Sequence, residues 1–223
     1  MKKRMIVLIL GLLMLNITAM SQKESKEQVI KFVVHTDYGD MKGILYNETP
    51  QHRDNFVKLV KEGFYNDLLF HRVIPDFMIQ GGDPNSKDAK PGVPLGSGGP
   101  GYTVPAEFNK NLIHKKGALS AARTGDNINP KKASSGSQFY IVEGKPYTES
   151  MLKNMTLQTG LEWTPEQAKV YKEVGGTPFL DMNYTVYGEI TFGFDVIDKI
   201  ANVQRDKGNR PVKDVKMTIK LIE

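Results

Sequence analysis

The chain has 223 residues, 39% hydrophobic and 25% charged, which suffices for one domain with its own core. Its formal charge is +5, but Lys2, Lys3 and Arg4 carry three of those charges in a segment, 1–21, that holds no acid; the remainder gives no electrostatic reason to expect a nucleic-acid partner. The absence of cysteine excludes disulfides, thiolate metal sites and cysteine nucleophiles.

In chain order, Lys2-Lys3-Arg4, the apolar run Ile6 to Leu15 and the small-x-small step Ala19-Met20-Ser21 form the pattern of a signal peptide over 1–21. The run is shorter than the roughly 20 residues of a membrane span. The expectation is therefore an exported, periplasmic protein with no stable membrane span after cleavage; the alternative is an uncleaved N-terminal anchor. Residues 22–29 read as a polar lead-in, and 30–223 as the folded domain.

Ile30–Val34 and Met41–Tyr46 alternate as strands around the turn residues Asp37–Asp40, a hairpin. A helix follows: Thr49 is placed to cap it, Pro50 to begin it and Gly63 to end it, with Phe56, Leu59, Val60 and Phe64 on one face. Strand patterns return at Leu68–Ile74, Phe77–Gln80, Ala118–Ala122, Gln138–Val142, Tyr184–Ile190 and Lys216–Ile222, with a second short helix at Phe194–Ala201. Residues 84–101 form a Gly- and Pro-rich surface loop. Residues 145–178 contain two helical patterns, Glu149–Gln158 and Thr164–Glu173, and read as a helical hairpin inserted between strands; Thr164-Pro165-Glu166-Gln167 can close a capping box. The fold predicted is mainly β: a closed eight-stranded antiparallel barrel capped by two helices, with a helical insertion at 145–178.

Several motifs carry no chemistry. Gly96–Gly101 matches GxGxxG, but prolines precede and interrupt it and no helix follows. His35, His52, His71 and His114 share no metal-ligand spacing, so neither metal nor cofactor is expected.

The stretch Phe70-His71-Arg72-Val73-Ile74-Pro75-Asp76-Phe77-Met78-Ile79-Gln80-Gly81-Gly82-Asp83 places an arginine among apolar residues on a strand. It resembles the signature of the cyclophilins, a family of peptidyl-prolyl cis-trans isomerases. Pro105-Ala106-Glu107-Phe108, Gly117–Ala122, Ser135–Ile141 and Phe179-Leu180-Asp181 through Gly188 resemble the family's later blocks, in the same order.

The resemblance implies catalytic roles for Arg72 and Gln80, with Gln80 and Gln138 beside the substrate backbone. Phe77, Met78, Tyr140 and Leu180 would wall a proline pocket. Ala122 and Arg123 would present backbone groups to the residue before proline. Phe179 and Tyr184 would also contact substrate; they stand where many eukaryotic members have tryptophan and histidine, and Tyr140 where phenylalanine is usual. The implied partners are proline-containing polypeptides, met as a monomer and without nucleic acid. The implied function is isomerisation of X–Pro bonds in exported proteins; the alternative is a module that binds proline-containing chains without turnover.

Overall fold

A computed structural model describes residues 29–222. The expected signal peptide, 1–21, and all but the last residue of the lead-in lie outside the described residues. No helix among the described residues is long and apolar enough to cross a membrane.

Alternation along the chain builds the sheet. In β2 (Gly39–Leu45), Met41, Gly43 and Leu45 are buried while Asp40 and Lys42 face solvent. It pairs antiparallel with β1 (Lys31–Thr36), and β1 with the last strand, β11 (Lys216–Ile222). The other strands are β3 (Leu68–Leu69), β4 (Arg72–Ile74), β5 (Met78–Gly81), β6 (Thr103–Val104), β7 (Ala118–Ala121), β8 (Ser134–Ser135), β9 (Phe139–Val142) and β10 (Val186–Phe192). Nine of them form one antiparallel sheet in the order β3-β11-β1-β2-β10-β7-β9-β5-β4, and β6 pairs with β8.

This is not the closed eight-stranded barrel expected. The predicted strand Leu68–Ile74 breaks at Phe70-His71: Leu68 and Leu69 pair with β11, whereas Arg72–Ile74 pair with β5. Its two halves therefore lie at opposite ends of a nine-stranded curled sheet. Two covalently linked residues, not a ladder, span the seam. Phe70 turns the corner because its ring enters the core, fully buried, while its N–H bonds Val215 O at 2.9 Å.

Helices α1 (Pro50–Lys61) and α4 (Phe194–Ala201) bury Phe56, Leu59 and Val60, and Val196, Ile197 and Ile200, in one cluster with Phe32, Val73, Ile79, Leu119 and Ile141 of the sheet. Gly63, at φ 68, ends α1 as expected, with Gly63 N–H bonding Val60 O and Phe64 N–H bonding Leu59 O. Thr49 does not cap it: its hydroxyl makes no capping bond. Glu107 takes that place, accepting from Gln51 N–H at 3.1 Å, His52 N–H at 2.9 Å and His52 Nδ1 at 2.6 Å. A carboxylate suits a helix N-terminus better than a hydroxyl, because it also meets the dipole.

Residues 145–178 hold α2 (Glu149–Thr159) and α3 (Pro165–Glu173), packed around Tyr147, Leu152 and Tyr171. The capping box of α3 is complete, with Thr164 Oγ1 accepting from Gln167 N–H and Gln167 Oε1 from Thr164 N–H. Gly176, at φ 153, bridges to both Lys115 and Lys145; a Cβ there would lie 2.2 Å from His114 O.

Candidate active site

The β4–β5 hairpin turns through Pro75 and Asp76, the latter at φ 60, and Phe77 N–H closes the turn on Ile74 O at 3.2 Å. Proline at the first central position and a left-handed second residue are type II chemistry, and aspartate tolerates that conformation. The register sets Arg72 opposite Gln80, Gln80 opposite Tyr140, and Tyr140 opposite Ser120, one row across β4, β5, β9 and β7. The neighbouring row, Val73, Ile79, Ile141 and Leu119, faces the main core. Because side chains alternate, burying that row forces the Arg72 row onto the opposite face.

On that face Met78, Ala118, Ala122, Tyr140, Val142, Leu180 and Val186 form a second apolar cluster, with Phe77 and Tyr184 packed against it. It floors a hollow of about 100 Å³ lined by Arg72, Phe77, Met78, Gln80, Ala122, Arg123, Tyr140, Leu180 and Tyr184. A closed cavity of about 150 Å³ holds benzene, so the space is that of one small ring. Larger hollows adjoin it. One of about 620 Å³, lined by Gly96–Gly99, Tyr102 and Thr103, shares Gln80, Ala122 and Arg123 with it; another of about 570 Å³, lined by His71, Gly92–Gly96 and Arg210, shares Arg72, Gln80 and Arg123. Together they make a groove with a small deep pocket at its centre.

A chain of hydrogen bonds runs across the groove floor. Arg72 Nη1 donates to Gln80 Oε1 at 3.0 Å, Gln80 Nε2 to Gln138 Oε1 at 3.1 Å, and Gln138 Nε2 to the carbonyls of Gly96 and Gly98 at 2.9 and 2.7 Å. Among the described residues, no carboxylate pairs with Arg72, and its Nε and Nη2 have no partner. Its guanidinium carbon lies 5.8 Å from the centre of the Phe77 ring. Burial lowers its pKa, but arginine starts so high that the group stays charged at neutral pH. A half-buried cation with unused donors thus faces an apolar pocket.

Family comparison agrees with this geometry. The profile described as "Cyclophilin type peptidyl-prolyl cis-trans isomerase/CLD" matches residues 31–220. The chain belongs to the cyclophilin-type peptidyl-prolyl cis-trans isomerases. Among relatives that carry the name peptidyl-prolyl cis-trans isomerase, a protein of Staphylococcus aureus (strain COL) is 40% identical over 197 residues, 86% of this chain and 91% of that protein. One from Staphylococcus saprophyticus is 38% identical over 199 residues, 87% and 92% of the two chains. A cyclophilin-type isomerase of Cryptosporidium parvum shares the fold, with a TM-score of 0.63 and 24% identity over 88% of this chain and 99% of that one. A second crystal structure of that enzyme, in the presence of the dipeptide Ala-Pro, gives a TM-score of 0.61 at 24% identity, over 86% and 99%.

Of the residues singled out from the sequence, all but Gln138 and Phe179 line the small hollow. Gln138 lines the adjoining 620 Å³ hollow, and Phe179 stands at the rim, 42% exposed, its ring 5.8 Å from that of Phe77. Ala122 and Arg123 divide. The Ala122 N–H bonds Gln138 O at 2.9 Å and its carbonyl accepts from Ser135 N–H at 2.8 Å, so both backbone groups are taken. The backbone N–H and carbonyl of Arg123 have no partner among the described residues. The Arg123 side chain turns inward instead, 4.5 Å over the Tyr184 ring, donating to Asn183 O at 2.9 Å and pairing with Asp126 at 2.5 Å.

Three residues that sequence reasoning passed over also shape this cyclophilin site. Asp83, fully buried, accepts from Asn85 N–H at 2.8 Å and from Gly96 N–H, tying the glycine loop to the end of β5. His114 and Asp181 lie behind Tyr140. His114 and Asp181 had no local signal, because each acts on a residue far away in the chain; Asp83 before Pro84 could be read as a cap for Asn85 N–H, but not as the tie to Gly96.

Proposed function

We propose that the 100 Å³ hollow receives the proline ring of an X–Pro bond and that Arg72 drives its rotation. The observation that carries this is the half-buried Arg72 guanidinium, pinned at Nη1 by Gln80 and unengaged at Nε and Nη2, at the mouth of an apolar pocket the size of one small ring. Twisting the bond breaks amide resonance against a barrier of about 18–20 kcal/mol. The proline nitrogen then becomes pyramidal and regains a lone pair. A guanidinium N–H can donate to that lone pair, which the planar ground state does not offer, so the interaction favours the transition state. No bond to carbon forms, so the site requires no nucleophile.

Phe77, Met78, Tyr140 and Leu180 hold the ring and exclude water, which strengthens the Arg72 contact. The free backbone N–H and carbonyl of Arg123 pair with the residue before proline, an extended strand laid along the groove. Gln80 orients Arg72; Gln138 fixes Gln80 and the glycine loop. Phe179 extends the wall outwards beside Phe77, and Tyr184 closes it beside Arg123. We further propose that the substrates are exported chains, on the support of the N-terminal pattern Lys2-Lys3-Arg4, Ile6 to Leu15 and Ala19-Met20-Ser21. Mass spectrometry of the mature N-terminus tests the cleavage of that pattern; an unprocessed Met1 would contradict cleavage and leave the uncleaved anchor.

A protease-coupled assay on a short Ala-Pro peptide tests the catalytic reading. Wild type should accelerate cis-to-trans conversion, and Arg72→Ala should lose most of that acceleration while its unfolding midpoint holds. Equal activity of the two would remove Arg72 from the mechanism; no activity in either would favour binding without turnover.

A further inference from the structure

Tyr140 gives the pocket wall a polar atom on its hidden side. The residue is 4% exposed, and its hydroxyl lies 3.0 Å from His114 Nε2. His114 is itself fully buried. Its Nδ1 lies 2.7 Å from Asp181 Oδ1, which also accepts the His114 backbone N–H at 2.9 Å. The other Asp181 oxygen accepts from Trp163 Nε1 at 2.7 Å and from the Tyr171 hydroxyl at 2.6 Å. Trp163 and Tyr171 belong to the 145–178 segment, and neither lines the small hollow.

The direction of each bond follows from the chemistry. Nδ1–H donates to the Asp181 carboxylate, and in that tautomer Nε2 is the acceptor. Burial holds the Tyr140 phenol well above its usual range, so the hydroxyl keeps its proton and has it to donate to that nitrogen. The His114 and Tyr140 rings stack, with centroids 6.1 Å apart and planes 13° from parallel, while Tyr184 meets Tyr140 edge-on at 5.9 Å.

We propose that His114 is a positioning residue for isomerisation: the chain from Trp163 and Tyr171 through Asp181 and His114 to the Tyr140 hydroxyl fixes the angle of the pocket wall, and makes the 145–178 segment part of the pocket's support. The inference rests on the reading of Tyr140 as pocket wall. A phenylalanine there is held at Cβ and by packing alone. A tyrosine hydrogen-bonded at its far end is held at both ends, which fixes the ring plane. In a dry interior each bond of the chain is stronger than in water, and every side-chain polar atom in it has a partner. The pocket's geometry then depends on residues outside it, Trp163 among them.

Two substitutions cut the chain at different points. In His114→Asn the amide N–H can replace Nδ1–H against Asp181, but the side chain is too short to reach Tyr140. On an Ala-Pro tetrapeptide, its kcat/KM is expected to fall about three- to tenfold, the weight of one hydrogen bond. Placed on Tyr140→Phe, where no hydroxyl remains to be held, the same substitution is expected to change kcat/KM by less than about twofold. Trp163→Phe keeps an aromatic ring against Tyr171 and removes one donor to Asp181. It should give the same pattern with a smaller loss, about two- to threefold, again absent on Tyr140→Phe. Should His114→Asn fail to fold, the Trp163→Phe pair decides alone.

Equal losses in both backgrounds, or a folded His114→Asn with wild-type kcat/KM, would show His114 to be structural only and overturn the proposal. If wild type shows no isomerase activity, the catalytic reading fails on its own. The inference is then judged on the Kd of the same peptide by calorimetry, where His114→Asn should weaken binding to the wild-type pocket but not to Tyr140→Phe.

Discussion

Replacing Arg72 by lysine separates charge from geometry at the proposed catalytic group. Arginine presents five N–H donors in a rigid fork, and here Nη1 is committed to Gln80 at 3.0 Å while Nε and Nη2 remain for the substrate. A lysine ammonium is a single point. It can bond Gln80 or the proline nitrogen in good geometry, but not both, and it loses the planar contact over Phe77. The charge is kept, so the loss reports the missing directed bond. A charge-assisted hydrogen bond is worth about 1.5–3 kcal/mol, and about 1.4 kcal/mol is a factor of ten, so kcat/KM should fall about 10- to 150-fold. Because the bond forms in the twisted state, kcat should carry the loss and KM should move little. The assay is the protease-coupled one, with a denaturant titration to confirm unchanged stability. An Arg72→Lys enzyme with more than half the wild-type kcat/KM would refute the fork argument and leave bulk charge as the catalytic agent.

Two further predictions concern the frame. Burial alone would push the Glu107 carboxyl up, but hydrogen bonds from the His52 ring and from the His52 and Gln51 N–H groups outweigh it and hold it below its ordinary value; burial lowers His52 as well. Both groups contribute stability that is present above their unfolded pKa values and lost as pH falls through the folded ones. Stability should therefore drop as pH falls from about 6.5, through His52, and again below about 4.3, through Glu107. Glu107→Gln should cost about 1–2 kcal/mol at pH 7 and flatten the lower limb; urea midpoints across pH check this, and an unchanged acid limb would contradict it. Gly82 sits at φ 86 where a Cβ would lie 2.2 Å from Ser137 O. Gly82→Ala should destabilise by about 2–5 kcal/mol through combined strain and overpacking, and a shift in denaturation midpoint below that range would mean the loop yields more easily than its packing suggests.

What could be read from the sequence was local. The capping box at Thr164 and Gln167 and the Gly63 stop each depend on a few adjacent residues, and the structure contains both. The signature stretch placed Arg72, Phe77, Met78 and Gln80 together because one hairpin carries all four. What failed depends on distant partners. Leu68–Ile74 has strand composition throughout, and only the pairing of its halves with β11 and β5 reveals the break at Phe70-His71. Thr49 has the right chemistry for a cap, but Glu107, remote in sequence, occupies the place. The Tyr140 hydroxyl required a partner, and no pattern of spacing could have named His114 or tied it through Asp181 to Trp163.

The most direct measurement of the central claim needs no protease. An Ala-Pro peptide held at equilibrium shows separate cis and trans proline signals, and two-dimensional exchange NMR reads their interconversion in both directions. Without catalysis that exchange takes about 10–100 s at 25 °C and gives no cross-peaks at sub-second mixing times. With wild-type protein at a small fraction of the peptide concentration, cross-peaks should appear within about a second, a rate gain of at least one order of magnitude over the same uncatalysed range. A spectrum identical to that of the peptide alone would contradict the account.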